Sequence, residues 1–390
     1  MDRDIIIVGG GPAGLSFARA LDGTGLKILL LERQHRDVLA EPAYDGREIA
    51  LTHRSIRTLV ELGAWAQMPQ EEISLLREAR VLNGASPLAL TFDTGRNLEQ
   101  GLGMLASNHL IRRALHDCVA AQENVELRTG VEVASASASA SGAKVTLGDG
   151  SMISARLLVA ADSRFSSTRK HLGIGSEINP VGKAMLVCRV DHERDHGHVA
   201  TEWFGHGQTF AMLPLNGRQS SAVLTLPLEQ AERLAAHSDE QLSSELSARY
   251  RFRLGNMRVA STRHVYPLVT TLADRFALPG AALVGDTAVG MHPVTAHGFN
   301  LGLSSADRLA SMIRSAMRIG EDWSATSVLE RYSIAHRRAA LPIYRATNMI
   351  VRLFNDERPA AWAARHAALR LGRRVPLVRT AVRSMLLHAS

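Results

Sequence analysis

The chain has 390 residues, of which 46% are hydrophobic, and a net charge of +7. That length suggests two or three domains, and that apolar content supplies a large core, which excludes a disordered chain and a fibrous repeat. The longest apolar runs, such as Ile5 to Val8 and Ile28 to Leu31, have strand length and fall far short of a membrane span.

At the N-terminus there is no basic stretch, apolar core and small-residue cleavage site, so a cytoplasmic location is expected. Residues 4–33 read as strand, glycine turn, helix and strand. Ile5-Ile6-Ile7-Val8 is a continuous apolar run, as in a parallel strand buried on both faces. Leu15, Ala18 and Leu21 give the following helix its packing face. A helix is expected over 54–66, with Leu59, Leu62 and Trp65 inward. Strand, turn and strand follow over 80–92. The next helix is expected over 108–122, with Leu110, Ile111, Ala114, Leu115 and Val119 on one face. Strands are expected near 125–133 and 144–147. Between them the Ser/Ala stretch 134–142 reads as a hairpin loop.

Another buried strand is expected over 157–161. Short strands at 184–190, 199–204, 208–213 and 220–226 predict an antiparallel sheet inserted into the α/β framework. Beyond it the pattern predicts a helix over 230–250, a strand at 282–284 that rejoins the parallel sheet, and a long helix over 299–319. Residues 325–390 read as helical, with breaks at Pro342, Pro359, Gly372 and Pro376. Two distant cysteines, Cys118 and Cys188, form neither a metal site nor a disulfide framework and are expected reduced.

The charge is uneven. Residues 325–390 carry twelve Arg against three acids, a net +9, and the other 324 residues sum to −2. Within 377–387, Leu377, Val378, Ala381, Val382, Met385 and Leu386 fall at helical spacing, with Arg379 and Arg383 outside the stripe. Such a basic helix lies on an anionic membrane or packs on the body or a subunit. Both readings stand at this point.

Three motifs carry chemistry. The first is Gly9-Gly10-Gly11-Pro12-Ala13-Gly14, a G-x-G-x-x-G between a strand and a helix. Gly9 serves the tight turn, Gly11 the close approach of backbone to a pyrophosphate, and Gly14 helix–strand packing. The helix N-terminus then faces phosphates with free N–H groups. Glu32, followed by Arg33, ends the second strand where a carboxylate accepts from an adenosine ribose. An acid there favours FAD or NAD over NADP. The second motif is Asp162-Ser163-Arg164-Phe165-Ser166-Ser167-Thr168-Arg169, after an apolar strand. The third runs from Gly285-Asp286 through His292-Pro293 and His297-Gly298-Phe299-Asn300 to Gly302. Asp286 stands at a strand end, and Gly298 and Asn300 at the start of a long helix, where N–H groups stabilise negative charge.

The second motif resembles the D-G-x-x-S-x-x-R pattern of flavoprotein aromatic hydroxylases of the para-hydroxybenzoate hydroxylase fold. Asp162, Ser166 and Arg169 match it, and Ser163 stands where Gly is usual. The third motif resembles the G-D…H-P…G-x-N-x-G signature of the same class, which implies Asp286 at the ribityl hydroxyls and Gly298 and Asn300 at the flavin pyrimidine edge. The strings Asp45 to His53, Phe210 to Leu215 and Gly285 to Leu303 resemble the ubiquinone-biosynthesis hydroxylases, nearest the 5-demethoxyubiquinol 5-hydroxylase subgroup. The resemblance covers residues 4 to about 371. It implies an α/β (α+β) chain: a Rossmann-like FAD-binding domain (1–78, 100–180 and 270–325), an inserted antiparallel-sheet substrate domain (79–99 and 181–269) and a helical, basic C-terminal region (326–390).

The resemblance also implies the chemistry. NAD(P)H reduces FAD, O2 adds at the flavin C4a, and the resulting hydroperoxide hydroxylates an electron-rich ring. Arg47 and Arg112 would contact the cofactor, although Arg113 beside Arg112 cannot be separated from it. His292 and His297 flank the flavin loop with Pro293, as structural residues or as proton carriers. Met185, Val187, Trp203, Phe210, Met212 and Pro214 are candidates for the substrate wall. The implied substrate is a prenylated phenol or quinol. Peripheral contact with the inner face of the inner membrane through the basic tail, and a place in a quinone-synthesis complex, accompany it. Other readings are a hydroxylase of another small aromatic, a prenyl-chain reductase, a halogenase, or a non-oxygenase flavoprotein. The halogenase lacks its W-x-W-x-I-P segment here, and a reductase with two dinucleotide folds lacks a second G-x-G-x-x-G. The N-terminal motifs argue against nucleic acid as a partner.

Overall fold

The structure, a computed structural model, describes residues 1–84, 86, 89–93, 101–205, 207–355 and 358. The first third holds β1 (Arg3–Val8), α1 (Pro12–Ala20), β2 (Ile28–Glu32), α2 (Arg36–Ala40), β3 (Glu48–Leu51), α3 (His53–Glu61), β4 (Ser74–Leu76), β5 (Glu78–Asn83), β6 (Ala89–Phe92), β7 (Gly103–Ser107), α4 (Asn108–Ala120) and β8 (Val125–Thr129). Next come β9 (Val133–Ser139), β10 (Gly142–Leu147), β11 (Met152–Ala160), α5 (Ser167–His171), β12 (Ser176–His192), β13 (Val199–Phe204), β14 (Thr209–Pro214) and β15 (Gln219–Pro227). The last part holds α6 (Leu228–Ala235), α7 (Asp239–Arg249), β16 (Met257–Val259), β17 (His264–Ala273), β18 (Ala277–Leu278), β19 (Ala281–Leu283), β20 (Val289–Gly290), α8 (Gly298–Arg318) and α9 (Thr326–Asn355).

The apolar runs form a parallel core. β19, β11, β1, β2 and β8 lie side by side in that order, all parallel. Ile5, Ile6, Ile7, Leu29, Leu30 and Leu157 to Ala160 are fully buried, which explains why these strands read as unbroken apolar runs. α1, α4 and α8 pack on one face, where Leu15, Phe17, Ile111, Leu115, Leu301 and Leu309 meet the strands. The β9–β10 ribbon covers the other face with Ala136, Val145 and Leu147.

A nine-stranded sheet runs β20-β17-β12-β15-β14-β13-β5-β6, with β16 beside β12. α6 and α7 cover one of its faces. A three-stranded sheet, β3-β7-β4, lies between the two large sheets and contacts both through its side chains.

Four expectations change. The Ser/Ala stretch is not a loop: Val133–Ser139 pairs with Gly142–Leu147. Small side chains carry no periodic signal there, but Ala136 reaches the core and the ladder satisfies the backbone. The helix expected over 230–250 is two, because Ser238 caps α7 in a capping box with Gln241. The helix expected over 54–66 stops at Glu61, with a separate single turn at Trp65–Gln67. α9 runs through Pro342. Tyr332, Ala340, Ile343 and Tyr344 are buried along it, and that packing outweighs one lost backbone hydrogen bond. The expected breaks at Pro359, Gly372 and Pro376, and the basic stripe over 377–387, lie outside the described residues. Among the described residues no helix is long and apolar enough to cross a membrane.

A buried ion pair joins the sheets. The Glu48 side chain on β3 is 1% exposed, and the Arg189 guanidinium on β12 lies 2.8 Å from its Oε1. Ser107 Oγ on β7 donates to Glu48 at 2.8 Å and accepts from Arg189 at 2.7 Å. Burial pushes the Glu48 carboxyl up, and Arg189 pulls against that shift. Arg189→Met leaves a buried carboxylate alone, which should cost about 3–5 kcal/mol near neutral pH, read from urea unfolding. Because the folded-state pKa of Glu48 lies above its ordinary value, the loss should shrink as pH falls into the carboxylate range and Glu48 takes up a proton.

Candidate active site

The first motif leaves β1 at Val8. Gly9 has φ +111°, and a Cβ there would lie 2.4 Å from the Ala161 carbonyl oxygen. A Cβ on Gly14 would lie 2.0 Å from the Gly9 oxygen. No side chain fits at either place, so both glycines are required by the chain's own packing. Gly11 differs: nothing lies within 4 Å of where its Cβ would be. It precedes α1, whose first residue is Pro12, with Ala13 next. α1 has no side-chain cap and no acid in its first turn. An uncapped helix start beside open space, at a strand end, suits an anion. Glu32 stands opposite. Its Oε2 accepts from Gly10 N at 2.6 Å and its Oε1 from Gln34 N at 2.8 Å. Each oxygen keeps capacity for a further donor.

Arg33 is exposed at this edge. Arg112 turns inward and donates to Gln34 Oε1 at 3.2 Å, whereas Arg113 is exposed, so the structure separates two neighbours that the sequence could not. Arg47 reaches Asp45 through Nη2 at 2.6 Å and lies over the Tyr266 ring at 5.5 Å. Asp45 also accepts from Asn108 Nδ2 at 2.7 Å. Burial pushes the Asp45 carboxyl up, but Arg47 and Asn108 outweigh it and hold it below its ordinary value.

The second and third motifs meet. Asp162 Oδ1 accepts from Ser166 Oγ at 2.5 Å, and Oδ2 from Thr168 N at 3.1 Å. Ser166 caps α5 by accepting from Arg169 N. The Arg169 side chain is fully buried. It donates to the Thr287 carbonyl at 2.9 Å and the Arg164 carbonyl at 3.1 Å. Arg164 in turn pairs with Asp286 at 2.7 Å. Ser163, where the resembled pattern has Gly, takes φ +138°, a conformation that L side chains rarely adopt.

Gly285 touches the start of α1, since its Cβ would lie 2.7 Å from the Ala13 Cβ, and its N–H donates to Ser305 Oγ on α8. His292 caps the turn Pro293–Thr295 by accepting from Val294 N at 3.2 Å. Burial, then the Lys183 charge, push its ring down to about 4, so it is neutral at pH 7 and does not titrate there. Pro293 is exposed at the tip of this loop, and His297 is buried where α8 begins. Phe299 packs against the main core. The Asn300 side chain is engaged within the protein: it accepts from Thr52 N at 3.1 Å and donates to Ala50 O and Ala296 O. Its backbone, with that of Gly298, forms the first turn of α8.

The motifs thus surround one crevice beside the carboxyl ends of β1, β11 and β19, the usual ligand position in an open parallel sheet. The proposed substrate wall divides. Met185 and Val187 share a face with their partners Tyr266 and His264, toward Gly46 and Arg47. Trp203, Phe210 and Met212 lie on the opposite face, in the cluster beneath α6 and α7, and Pro214 follows their alternation. Both faces are apolar, so period-two alternation could not say which one borders the crevice. Asp45, Asn108, Arg164 and Tyr266 were not singled out from sequence. Arg164 and Asp45 had a signal, since Arg164 lies inside the second motif and Asp45 opens the string Asp45 to His53.

The family model described as FAD binding domain matches residues 2–347. The chain is 45% identical to ubiquinone hydroxylase UbiM of Neisseria meningitidis, over 96% of this chain and 82% of that one. It is 34% identical to ubiquinone hydroxylase UbiL of Rhodospirillum rubrum, over 97% and 88%. The fold is similar to the crystal structure of p-nitrophenol 4-monooxygenase PnpA of Pseudomonas putida DLL-E4, with a TM-score of 0.76 at 17% identity, covering 99% of this chain and 96% of that one. Ser163→Gly should relieve the strained backbone and raise stability by about 1 kcal/mol, measured as a higher midpoint of thermal unfolding.

Proposed function

Because this chain belongs to the FAD binding domain family, we propose that it is an FAD-dependent monooxygenase that hydroxylates the aromatic ring of a prenylated phenol or quinol in ubiquinone biosynthesis. The observation that carries this reading is the meeting of three motifs in one crevice, in a chain similar over nearly its whole length to ubiquinone hydroxylases. The residues present fit FAD. Gly11 offers open space and α1 an uncapped start for the pyrophosphate, with Pro12, Ala13 and Gly14 in its first turn. Glu32 has capacity left for ribose hydroxyls, with Arg33 and Arg112 beside it. Asp286 and Gly285, braced by Asp162 and Arg169, serve the ribityl chain. Pro293, Gly298, Phe299 and Asn300 serve the ring end, with Arg47 across the crevice.

FAD supplies the oxidising chemistry, taking electrons from NAD(P)H and passing them to O2. The chain supplies binding, orientation and exclusion of water. The start of α8 directs backbone N–H groups and the positive end of a 21-residue helix toward any negative charge at the ring. His292 acts here as a neutral cap that holds the loop in shape. The sequence has one G-x-G-x-x-G, so NAD(P)H docks transiently or the electrons arrive by another route. Met185, Val187 and Tyr266 face the substrate. The basic C-terminal region supplies peripheral membrane contact where prenylated substrates reside, and a quinone-synthesis complex is a natural setting for such an enzyme.

Gly11→Glu should give a folded but colourless protein, because the added side chain has room yet puts charge against the pyrophosphate. Flavin absorbance and thermal unfolding together check this. A ubiquinone-deficient bacterial strain without its ring hydroxylases should regain later quinone intermediates or ubiquinone when it expresses this chain. A lipid profile that keeps only the early intermediates, with yellow protein present, would assign the enzyme to another aromatic substrate.

A further inference from the structure

On the crevice side of the nine-stranded sheet, one cross-strand row runs Val187, Val223, Ala211, Glu202, Val81 and Leu90. Each is paired directly with the next. Directly paired residues place their side chains on one face. Val187 fixes which face this is, since its Cγ1 lies 3.5 Å from where a Gly46 Cβ would be. Ala200 and Leu213, of the same alternation, pack with Leu76, Phe92, Leu102 and Leu105. Glu202 is therefore the single acid in an apolar row whose Val187 end borders the crevice.

A carboxylate in such a row is costly unless something pairs with it. Among the described residues, Glu202 has no hydrogen bond and no ion pair. Part of its surface stays accessible, yet burial pushes its carboxyl up to about 8. β5, β6, β14 and β15 bring only uncharged residues to the row. The cations on that face of β12 are engaged elsewhere: Lys183 donates to the Gly207 carbonyl at 3.2 Å, and Arg189 is held by Glu48 and Glu72.

Resting on the ring-hydroxylation reading above, we propose that Glu202 is the general base of the reaction, its carboxylate accepting the proton of the substrate's phenol hydroxyl. The O–H bond breaks and its electron pair enters the ring, which makes the ortho and para carbons nucleophilic. One of these carbons bonds to one atom of O2. The O–O bond breaks, and the second atom leaves as water with the two electrons that NAD(P)H supplies and protons from NAD(P)H and solvent. The ring regains aromaticity by losing the hydrogen of that carbon as a proton to solvent, and Glu202 returns its own proton to the phenolate oxygen. An ordinary carboxylate is a weak base toward a phenol. One raised toward the working pH narrows that gap. The apolar neighbours leave the phenol as the polar partner of the carboxylate and suit a prenyl chain.

The test compares wild type, Glu202→Gln and Glu202→Asp as yellow holoenzymes on 2-prenylphenol, a phenol with one isoprene unit, with O2 and NADH or NADPH. Wild-type kcat should rise with pH through the titration of Glu202 and then level. Glu202→Gln should lose that limb and about 10²-fold or more of kcat, with KM and FAD content little changed. Glu202→Asp should restore a shifted limb. The Kd of 2-prenylphenol for the oxidised holoenzyme should change over the same pH range in wild type and stay flat in Glu202→Gln. Wild-type turnover and pH profile in Glu202→Gln would overturn the assignment alone. A yellow wild type that neither binds nor hydroxylates a phenol would overturn the hydroxylase reading and the assignment with it. Should Glu202→Gln not fold, a flat wild-type profile, or one that Glu202→Asp leaves unshifted, overturns the assignment.

Discussion

The crevice depends on one buried cation. The Arg169 side chain is fully buried, and the Thr287 and Arg164 carbonyls accept from its Nη1 and Nη2, while its Nε has no partner among the described residues. Those carbonyls belong to the two loops that leave β19 and β11. The loops are therefore held at one distance, and what they carry follows. Arg164 is placed to pair with Asp286, Asp162 to brace Ser166 and Thr168, and Ser163 to take a strained backbone. Strain at that point persists because several hydrogen bonds around it determine the loop at once.

A second constraint sets the far wall. The Glu48–Ser107–Arg189 cluster ties β3 and β7 to β12, and Tyr266 on β17 donates to the Asp45 carbonyl at 2.7 Å while Arg47 lies over its ring. These polar contacts join the parallel sheet with its loops to the nine-stranded sheet beside a shared apolar edge, where Ala273 of β17 and Val289 of β20 enter the main core, while the cluster under α6 and α7 stays separate. Between them lies a cleft with a polar floor at the strand ends and an apolar wall on the sheet. That combination suits a charged cofactor on one side and an apolar aromatic on the other.

Where local preference and tertiary packing disagree, packing decides. Ser and Ala over 133–139 have little strand preference, yet they complete a ladder over the core. Pro342 should interrupt a helix, yet the buried side chains on either side of it hold α9 together. His292 has the ordinary chemistry of a proton carrier, yet its burial and the Lys183 charge leave it neutral. A residue type names a chemistry, and its surroundings determine whether that chemistry is used.

The sequence by itself determined the parallel core, through unbroken apolar runs, and the three motifs, because glycine, acid and strand-end spacing are local properties of the chain. It also determined the alternation of the inserted strands. It could not determine which alternating face borders the crevice, since Met185 and Met212 are equally apolar and face opposite ways. Nor could it choose Arg112 over Arg113, pair Arg164 with Asp286, or set Glu202 apart from the other acids. Those outcomes belong to the tertiary structure for one physical reason. A side chain's exposure, its partner and the ease of charging it depend on groups distant in the chain, which folding alone brings near.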